Sequence, residues 1–169
     1  GMPIGRGLQS RILKIQIWME KRMITIERKI WNWRFCLMKK KVILSVAFLI
    51  SLLPMLMNQY GGLKGVQEIT GLINLLNPIG IISVLLFALG VWVPLKKQAL
   101  NTLFGALGTI GMVISELYKF FTWHVMTITG EISIQNSIRL TFPEFYFGLM
   151  ISVAMIAVYY IINKKVYNI

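Results

Sequence analysis

Four long apolar runs, bounded by prolines, asparagines and lysines, limit how this chain can fold. The runs begin at Val42, Pro78, Ala99 and Pro143, and none has a charged residue at its centre. A helix needs roughly 20 mostly apolar residues to cross the hydrocarbon core of a bilayer. The sequence therefore predicts an all-α membrane protein, a bundle of four transmembrane helices at about residues 42–60, 78–95, 99–121 and 143–163.

The residues at the start of two runs support helical boundaries there. Asn77 precedes Pro78, and asparagine is a good N-cap while proline suits the first helical position, where no amide partner is needed. Pro143 stands in the same place before the last run, and Glu144 follows it in the first turn, where the helix dipole favours a negative charge. Both runs are therefore expected to start as helices at their prolines.

The charge composition indicates lipid as the surrounding medium and argues against nucleic acid. Only 14% of the 169 residues are charged, against roughly 25% in soluble domains. The net charge is +12, but eight of the 18 Lys and Arg residues precede Met38 and three more follow it directly. No basic stripe continues through the rest of the chain, so we expect basic flanks at a membrane surface and no nucleic-acid partner.

The distribution of charge also predicts an orientation. Seven lysines flank the apolar runs on one side, and the cytoplasmic side of a membrane protein carries the excess of positive charge. They are Lys39, Lys40, Lys41, Lys96, Lys97, Lys164 and Lys165. The other side receives Lys64, Lys119, Arg139 and the four glutamates beyond Met38. We therefore expect a multi-pass protein of the cytoplasmic membrane with both termini in the cytoplasm.

Two connecting segments have patterns of their own. Residues 65–76 place Val66, Ile69, Ile73 and Leu76 on one helical face, which predicts a short amphipathic helix in the membrane interface. Residues 122–142 instead alternate apolar and polar side chains, with Gly130 as a turn residue. This alternation predicts a small β-hairpin or flap between the third and fourth transmembrane helices.

Residues 1–37 form a basic N-terminal segment that has two interpretations. Apolar residues at three-four spacing favour a cationic amphipathic helix on the inner membrane surface. Alternatively, Trp33–Arg34 can be encoded by codons that contain a ribosome-binding sequence at a suitable distance before Met38, and on this hypothesis the segment is translated upstream sequence. On that hypothesis the native protein is the four-helix domain 38–169. Its first apolar run, without a small-residue cleavage site, is expected to be an uncleaved anchor.

The third run contains small residues at regular spacing. They are Gly105, Gly108, Thr109, Gly111 and Ser115. Small residues three or four apart let helix backbones approach closely in lipid. The pattern predicts helix packing, either within the chain or along a seam between copies of it.

Three ionisable residues cluster near the end of the same run. Glu116 and Lys119 are one helical turn apart and can pair, and His124 follows. At the headgroup boundary such a pair is an ordinary surface feature, whereas an ionisable side chain at membrane depth indicates a functional site. The cluster is therefore a candidate polar site on the outer side.

The remaining composition disfavours catalysis and metal binding. Cys36 and His124 are the single cysteine and histidine, and the chain contains no aspartate. No catalytic, cofactor-binding or metal site is predicted. We expect a non-enzymatic accessory or binding protein, such as a subunit partner, sensor or immunity-type protector, whose partners are the lipid bilayer and another membrane protein or itself. The alternative is a homo-oligomeric channel or small transporter.

Overall fold

The structure, a computed structural model, describes residues 5–62 and 67–167, and this part of the chain is mainly helical. Its α-helices are α1 (Gly5–Leu52), α2 (Leu72–Leu76), α3 (Pro78–Trp92), α4 (Gln98–Thr122), α5 (Ile134–Arg139) and α6 (Pro143–Tyr167). A 3-10 turn covers Leu53–Leu56 and a π-helical turn covers Val125–Thr129. Two short strands, β1 (Asn58–Tyr60) and β2 (Ile69–Thr70), complete the fold.

The chain divides into two compact units, residues 1–40 and residues 41–169, and α1 passes from one to the other. In the first unit every described side chain from Lys14 to Cys36 is exposed. The Arg22 guanidinium lies 4.2 Å from the centroid of the Trp18 ring, a cation–π contact along the helix surface. The described part of this unit therefore has no hydrophobic core. The predicted boundary at Met38 stays a prediction.

The second unit is built on α4, which packs against α3 on one side and α6 on another. One core cluster joins these helices to the end of α1, where Phe48 stacks on Phe87 with ring centroids 3.9 Å apart. A second cluster surrounds Tyr60, Phe120 and Phe145 near the end of α4. The clusters join α4 to α3 and α6 and join the end of α1 to α3, and the mainly helical fold is confirmed.

The small sheet lies where the sequence did not predict one. Strands β1 and β2 pair antiparallel, and Tyr60 of β1 forms an isolated bridge with Thr141 on its other side. The predicted β-flap at residues 122–142 is wrong, because most of that segment consists of the π-helical turn and α5. The alternating pattern did not predict the secondary structure of this segment, because packing on α4 decides which of its side chains are buried. We call residues 123–142 the cap.

The predicted interfacial helix is also corrected. Residues 65–66 and Lys64 lie outside the described residues, and Ile69–Thr70 are a strand. Only Leu72–Leu76 of the predicted segment are helical. A five-residue helix buries Asn74 against the bundle, so its position follows from that contact and not from an amphipathic face.

The helix lengths bear on the predicted membrane spans. In the described part of the chain two helices, α4 and α6, are long and apolar enough to cross a membrane. The apolar helix α3 has 15 residues, which at 1.5 Å per residue is shorter than a roughly 30 Å hydrocarbon core. Four transmembrane spans therefore remain a prediction.

Candidate functional site

A cluster of buried polar side chains lies where α3 begins and includes residues from within α4 and α6. Such side chains are costly to bury unless they are hydrogen-bonded, so their partners define the site. The buried polar cluster consists of Gln59, Tyr60, Asn74, Asn77, Ser115, Glu116 and Ser152. These residues come from β1, α2, the N-cap position of α3, α4 and α6, so only the folded chain assembles the site.

Asn77 connects three elements of the cluster. Its Oδ1 accepts hydrogen bonds from the amides of Ile79 at 2.9 Å and Gly80 at 3.1 Å, which confirms the predicted N-cap of α3. Its Nδ2 donates to Ser115 Oγ on α4 at 2.7 Å and to the Asn74 carbonyl at 2.7 Å. Ser115 Oγ also donates to the Asn74 carbonyl. One amide therefore starts α3 and ties α2 to α4.

A second chain of hydrogen bonds leads from β1 to α2. The Tyr60 hydroxyl donates to Asn74 Oδ1 at 2.7 Å, and Asn74 Nδ2 donates to Gln59 Oε1 at 2.8 Å. Gln59 Nε2 donates in turn to the Pro54 carbonyl at 3.0 Å. Tyr60, Gln59 and Asn74 are at most 1% exposed. This chain holds the two-stranded sheet against the bundle, and it uses polar atoms that water cannot reach.

Glu116 differs from the rest of the cluster because its hydrogen bonding is incomplete. The side chain is 2% exposed, and Ser152 Oγ on α6 donates to Glu116 Oε1 at 2.6 Å. Its Oε2 has no hydrogen-bond partner among the described residues. The carboxyl group therefore contacts α6 directly and retains one unused acceptor atom.

The three predicted residues of the polar site do not converge on one point. Glu116 turns to Ser152, whereas Lys119 Nζ lies 5.8 Å from the centroid of the Tyr118 ring. His124 lies in the cap and is fully buried. Lys119 is therefore not the partner of Glu116, and the helical-turn spacing did not decide the pairing.

His124 is held by two hydroxyl groups of the cap. Its Nδ1 lies 2.7 Å from Thr129 Oγ1 and its Nε2 lies 2.9 Å from Ser137 Oγ. Burial lowers the pKa of His124 below its ordinary value of 6.5, because the charged ring would lose its hydration. The neutral imidazole thereby joins the π-helical turn to α5.

The cap is expected to loosen when the pH falls. Because the pKa of His124 is lower in the folded protein, the unfolded chain binds the proton first, so the stabilisation is complete above about pH 6.5 and is lost as the pH falls below it. Hydrogen exchange of residues 123–142 should accelerate between about pH 7.5 and pH 5, after correction for the intrinsic rate. His124→Gln, which keeps hydrogen-bonding atoms without titrating there, should remove this dependence; an unchanged dependence would exclude His124 as its origin.

The predicted helix-packing residues lie between α4 and its neighbours in the same chain. A Cβ atom at Gly108 would lie 2.5 Å from the Phe87 amide nitrogen on α3, and one at Gly105 would lie 2.6 Å from Tyr159 Cζ on α6. Gly111 faces Ser83, while Thr109 and Ser115 are buried. These small side chains let α4 approach α3 closely.

Several residues of the site were absent from the sequence prediction. Gln59 and Tyr60 lie at the end of the first predicted span, and Ser152 is one small polar residue within the last run. An isolated serine inside an apolar run is a signal, because its hydroxyl needs a partner. The sequence does not show that this partner is Glu116, 36 positions away.

The fold and the cluster define a helical bundle that has polar groups inside and apolar side chains outside. No protein-family model, no curated protein and no solved structure matches the chain. No group of three or more His, Cys, Asp or Glu residues suited to a metal ion occurs in the described part of the chain. The functional interpretation therefore rests on the geometry of this bundle.

Proposed function

We propose that this chain is a small integral membrane protein of the accessory or binding type, without catalytic activity. The observation that carries the proposal is the distribution of polarity in residues 41–164. Large apolar side chains point outward all along α3, α4 and α6, including Leu85, Leu107 and Met150, while the polar cluster is inside. A soluble bundle has polar side chains outside and apolar side chains inside, because exposed polar groups are hydrated by water.

The two longest apolar helices support a lipid surrounding. In the most apolar windows of α4 and α6 only 33% and 28% of the residues are buried. A core helix of a soluble protein would be mostly buried by its neighbours, whereas most residues in these two windows are half-buried or exposed. We propose that the end of α1, α3, α4 and α6 form four spans and that the termini lie in the cytoplasm, as the lysine distribution favours.

The membrane assignment is tested by extraction from native membranes. The protein should remain in the pellet after treatment with alkaline carbonate, which disrupts electrostatic contacts at the membrane surface. Burial of apolar surface in lipid stabilises the protein by roughly 25 cal/mol per Å², and this stabilisation does not depend on charge. Detergent should release it, and a peripheral protein from the same cells serves as the control. Release by carbonate alone would contradict the integral membrane assignment.

The cap is the part of the molecule proposed to bind a partner. Four of its large apolar side chains are exposed: Met126, Ile132, Ile134 and Ile138. With the proposed orientation the cap lies at the outer membrane face, and the partner is a membrane protein, or a second copy of this chain, that covers these side chains. Arg139 next to Ile138 is exposed as well, so an acidic rim on the partner would complement the surface.

Ile134→Glu tests the partner-binding role of the cap. Ile134 is 65% exposed, so the substitution leaves the fold intact but places a charge in the proposed contact. When the protein is solubilised with its native lipids, the amount of its higher-mass complex should be about tenfold or more lower in the variant than in the wild type. Gln135→Glu adds the same charge at the next exposed position and should leave the complex intact.

The alternative function is a homo-oligomeric channel or small transporter, and the observation that favours it is the buried carboxyl group of Glu116. Proteoliposomes containing the accessory protein should be no more permeable to ions than protein-free liposomes. A specific ion flux, together with a complex that survives Ile134→Glu, would contradict the accessory function and favour the alternative.

A further inference from the structure

Glu116 lies well within α4 and not at its end. It lies six positions before Thr122, where α4 ends, which corresponds to about 9 Å along the helix. The side chain is 2% exposed, and no water-exposed surface is available to hydrate a negative charge. A carboxylate in such surroundings is expensive unless a cation or several donors stabilise it.

The elements packed around Glu116 supply little compensation. Helices α2 and α3 carry no titratable side chain at all, and α6 contributes the hydroxyl of Ser152. The other titratable groups toward this end of the described chain are Glu144 and Tyr146 of α6, Arg139 of α5, Lys119 and Tyr118 of α4, Glu68 bound to Asn58, Glu131 of the cap, and neutral His124. Tyr60 of β1 is close enough to interact electrostatically with Glu116, but its hydroxyl donates to Asn74.

A metal cation does not suit this environment. An alkali or alkaline-earth ion needs several oxygen ligands, and hard cations in proteins typically take six or more. The Ser152 hydroxyl is the one side-chain donor to Glu116 among the described residues, and the hydroxyl groups of Ser115 and Tyr60 both donate to Asn74. A proton needs no shell of ligands, because it forms one covalent O–H bond and cancels the buried charge.

We propose that Glu116 is a reversible proton-binding site buried between α4 and α6. One proton adds to Oε2 of the carboxylate and gives the neutral carboxylic acid, while Oε1 continues to accept the hydrogen bond from Ser152. Release of that proton restores the carboxylate, so charge and atoms balance without a further reactant. The site does not depend on partner binding by the cap, and it is defined by contacts within the chain.

Infrared spectroscopy of the full chain in lipid tests this proposal directly, because it needs no reagent to reach the buried group. Because burial disfavours the charged form, the carboxylic C=O stretch of protonated Glu116 should be present at about pH 5 and should decrease reversibly toward about pH 9. Glu116→Gln should lose this pH-dependent band completely. The control Glu144→Gln removes a half-buried glutamate at the start of α6 and should keep the band.

Ser152→Ala provides a second test that does not need Glu116 to be replaced. The hydrogen bond from Ser152 to Oε1 lowers the frequency of the C=O stretch, so its removal should move the band to higher frequency. A pH-dependent band that remains in Glu116→Gln would overturn the proposal. So would the absence of such a band in the wild-type protein. If Glu116→Gln does not fold, a band that stays at the same frequency in Ser152→Ala overturns it equally.

Discussion

Replacement of Asn77 by alanine is expected to destabilise the protein by about 2–4 kcal/mol. The change removes the N-cap of α3, worth about 0.5–2 kcal/mol, because Oδ1 no longer accepts from Ile79 and Gly80. It also removes the donor to Ser115 and the Asn74 carbonyl in a buried site, where an unsatisfied group costs about 1–3 kcal/mol. Denaturant unfolding in lipid–detergent micelles, followed by tryptophan fluorescence, measures the loss.

Asn77→Ser separates the two contributions. Serine is a good N-cap, so this variant should recover about 1 kcal/mol relative to alanine. It lacks the amide that reaches Ser115, so the remaining loss should persist. Equal stability of the two variants would show that the N-cap hydrogen bonds of α3 contribute nothing measurable. A free energy of unfolding equal to the wild-type value in both variants would contradict the role of Asn77 as the link between α2 and α4.

Gly108→Ala should destabilise the bundle by about 2 kcal/mol, although alanine favours a helix more than glycine does. The new Cβ would lie 2.5 Å from the amide nitrogen of Phe87, a backbone atom that cannot move without separating α3 from α4. Overpacking of this kind costs about 1–3 kcal/mol. The shift would also disturb the stack of Phe87 on Phe48. Unfolding in the same micelles measures the effect.

Gly111→Ala is the matched control on the same helix. Its new Cβ would meet the hydroxyl of Ser83, a side-chain atom that can rotate away at the loss of its hydrogen bond to the Ile79 carbonyl. Helix propensity changes equally at both positions, so the difference between the variants isolates the backbone clash. We expect Gly111→Ala to stay within about 1 kcal/mol of the wild type. If both variants lose the same amount, close approach of α3 and α4 at Gly108 is not what stabilises the bundle.

The predictions that succeeded depended on interactions between near neighbours in sequence. Asn77 caps α3 through amides two and three residues away, and Pro143 begins α6. Prolines at first helical positions and asparagine caps act within one turn, so the sequence contains the whole interaction. The starts of α3 and α6 could therefore be predicted.

The prediction of a β-flap in the cap is wrong because the apolar residues there fit both a strand and a helix periodicity. Ile132 and Ile134 alternate with polar residues, which favours a strand, yet Ile134–Arg139 is a helix. Buried Ser137 and His124, hydrogen-bonded to each other, decide which face turns inward. An alternating pattern predicts a strand only where the apolar set is the buried set, and here Ile132, Ile134 and Ile138 are exposed.

The state of Glu116 shows where the sequence stops being sufficient. From the sequence alone it belonged to a polar cluster with Lys119 and His124 at the edge of a span, because spacing of one turn permits a pair. In the folded chain α6 places Ser152 against it and covers it from water. A glutamate can form a hydrogen bond with a residue of its own helix or with a residue of any helix packed against it. Which of these partners it binds depends on distances across the bundle.

Local chemistry thus determined the helical class, two of the helix starts and the presence of an apolar surface suited to lipid. These properties follow from composition and from interactions within a turn or two, so both partners of each interaction are close neighbours in the sequence. The tertiary structure decided the strand pairing of Tyr60, the helical cap and the burial of Glu116 between α4 and α6. Tyr60 pairs with Ile69, His124 contacts Ser137 and Glu116 contacts Ser152, which lie 9, 13 and 36 positions apart in the sequence. Such contacts form only after the helices have packed and excluded water.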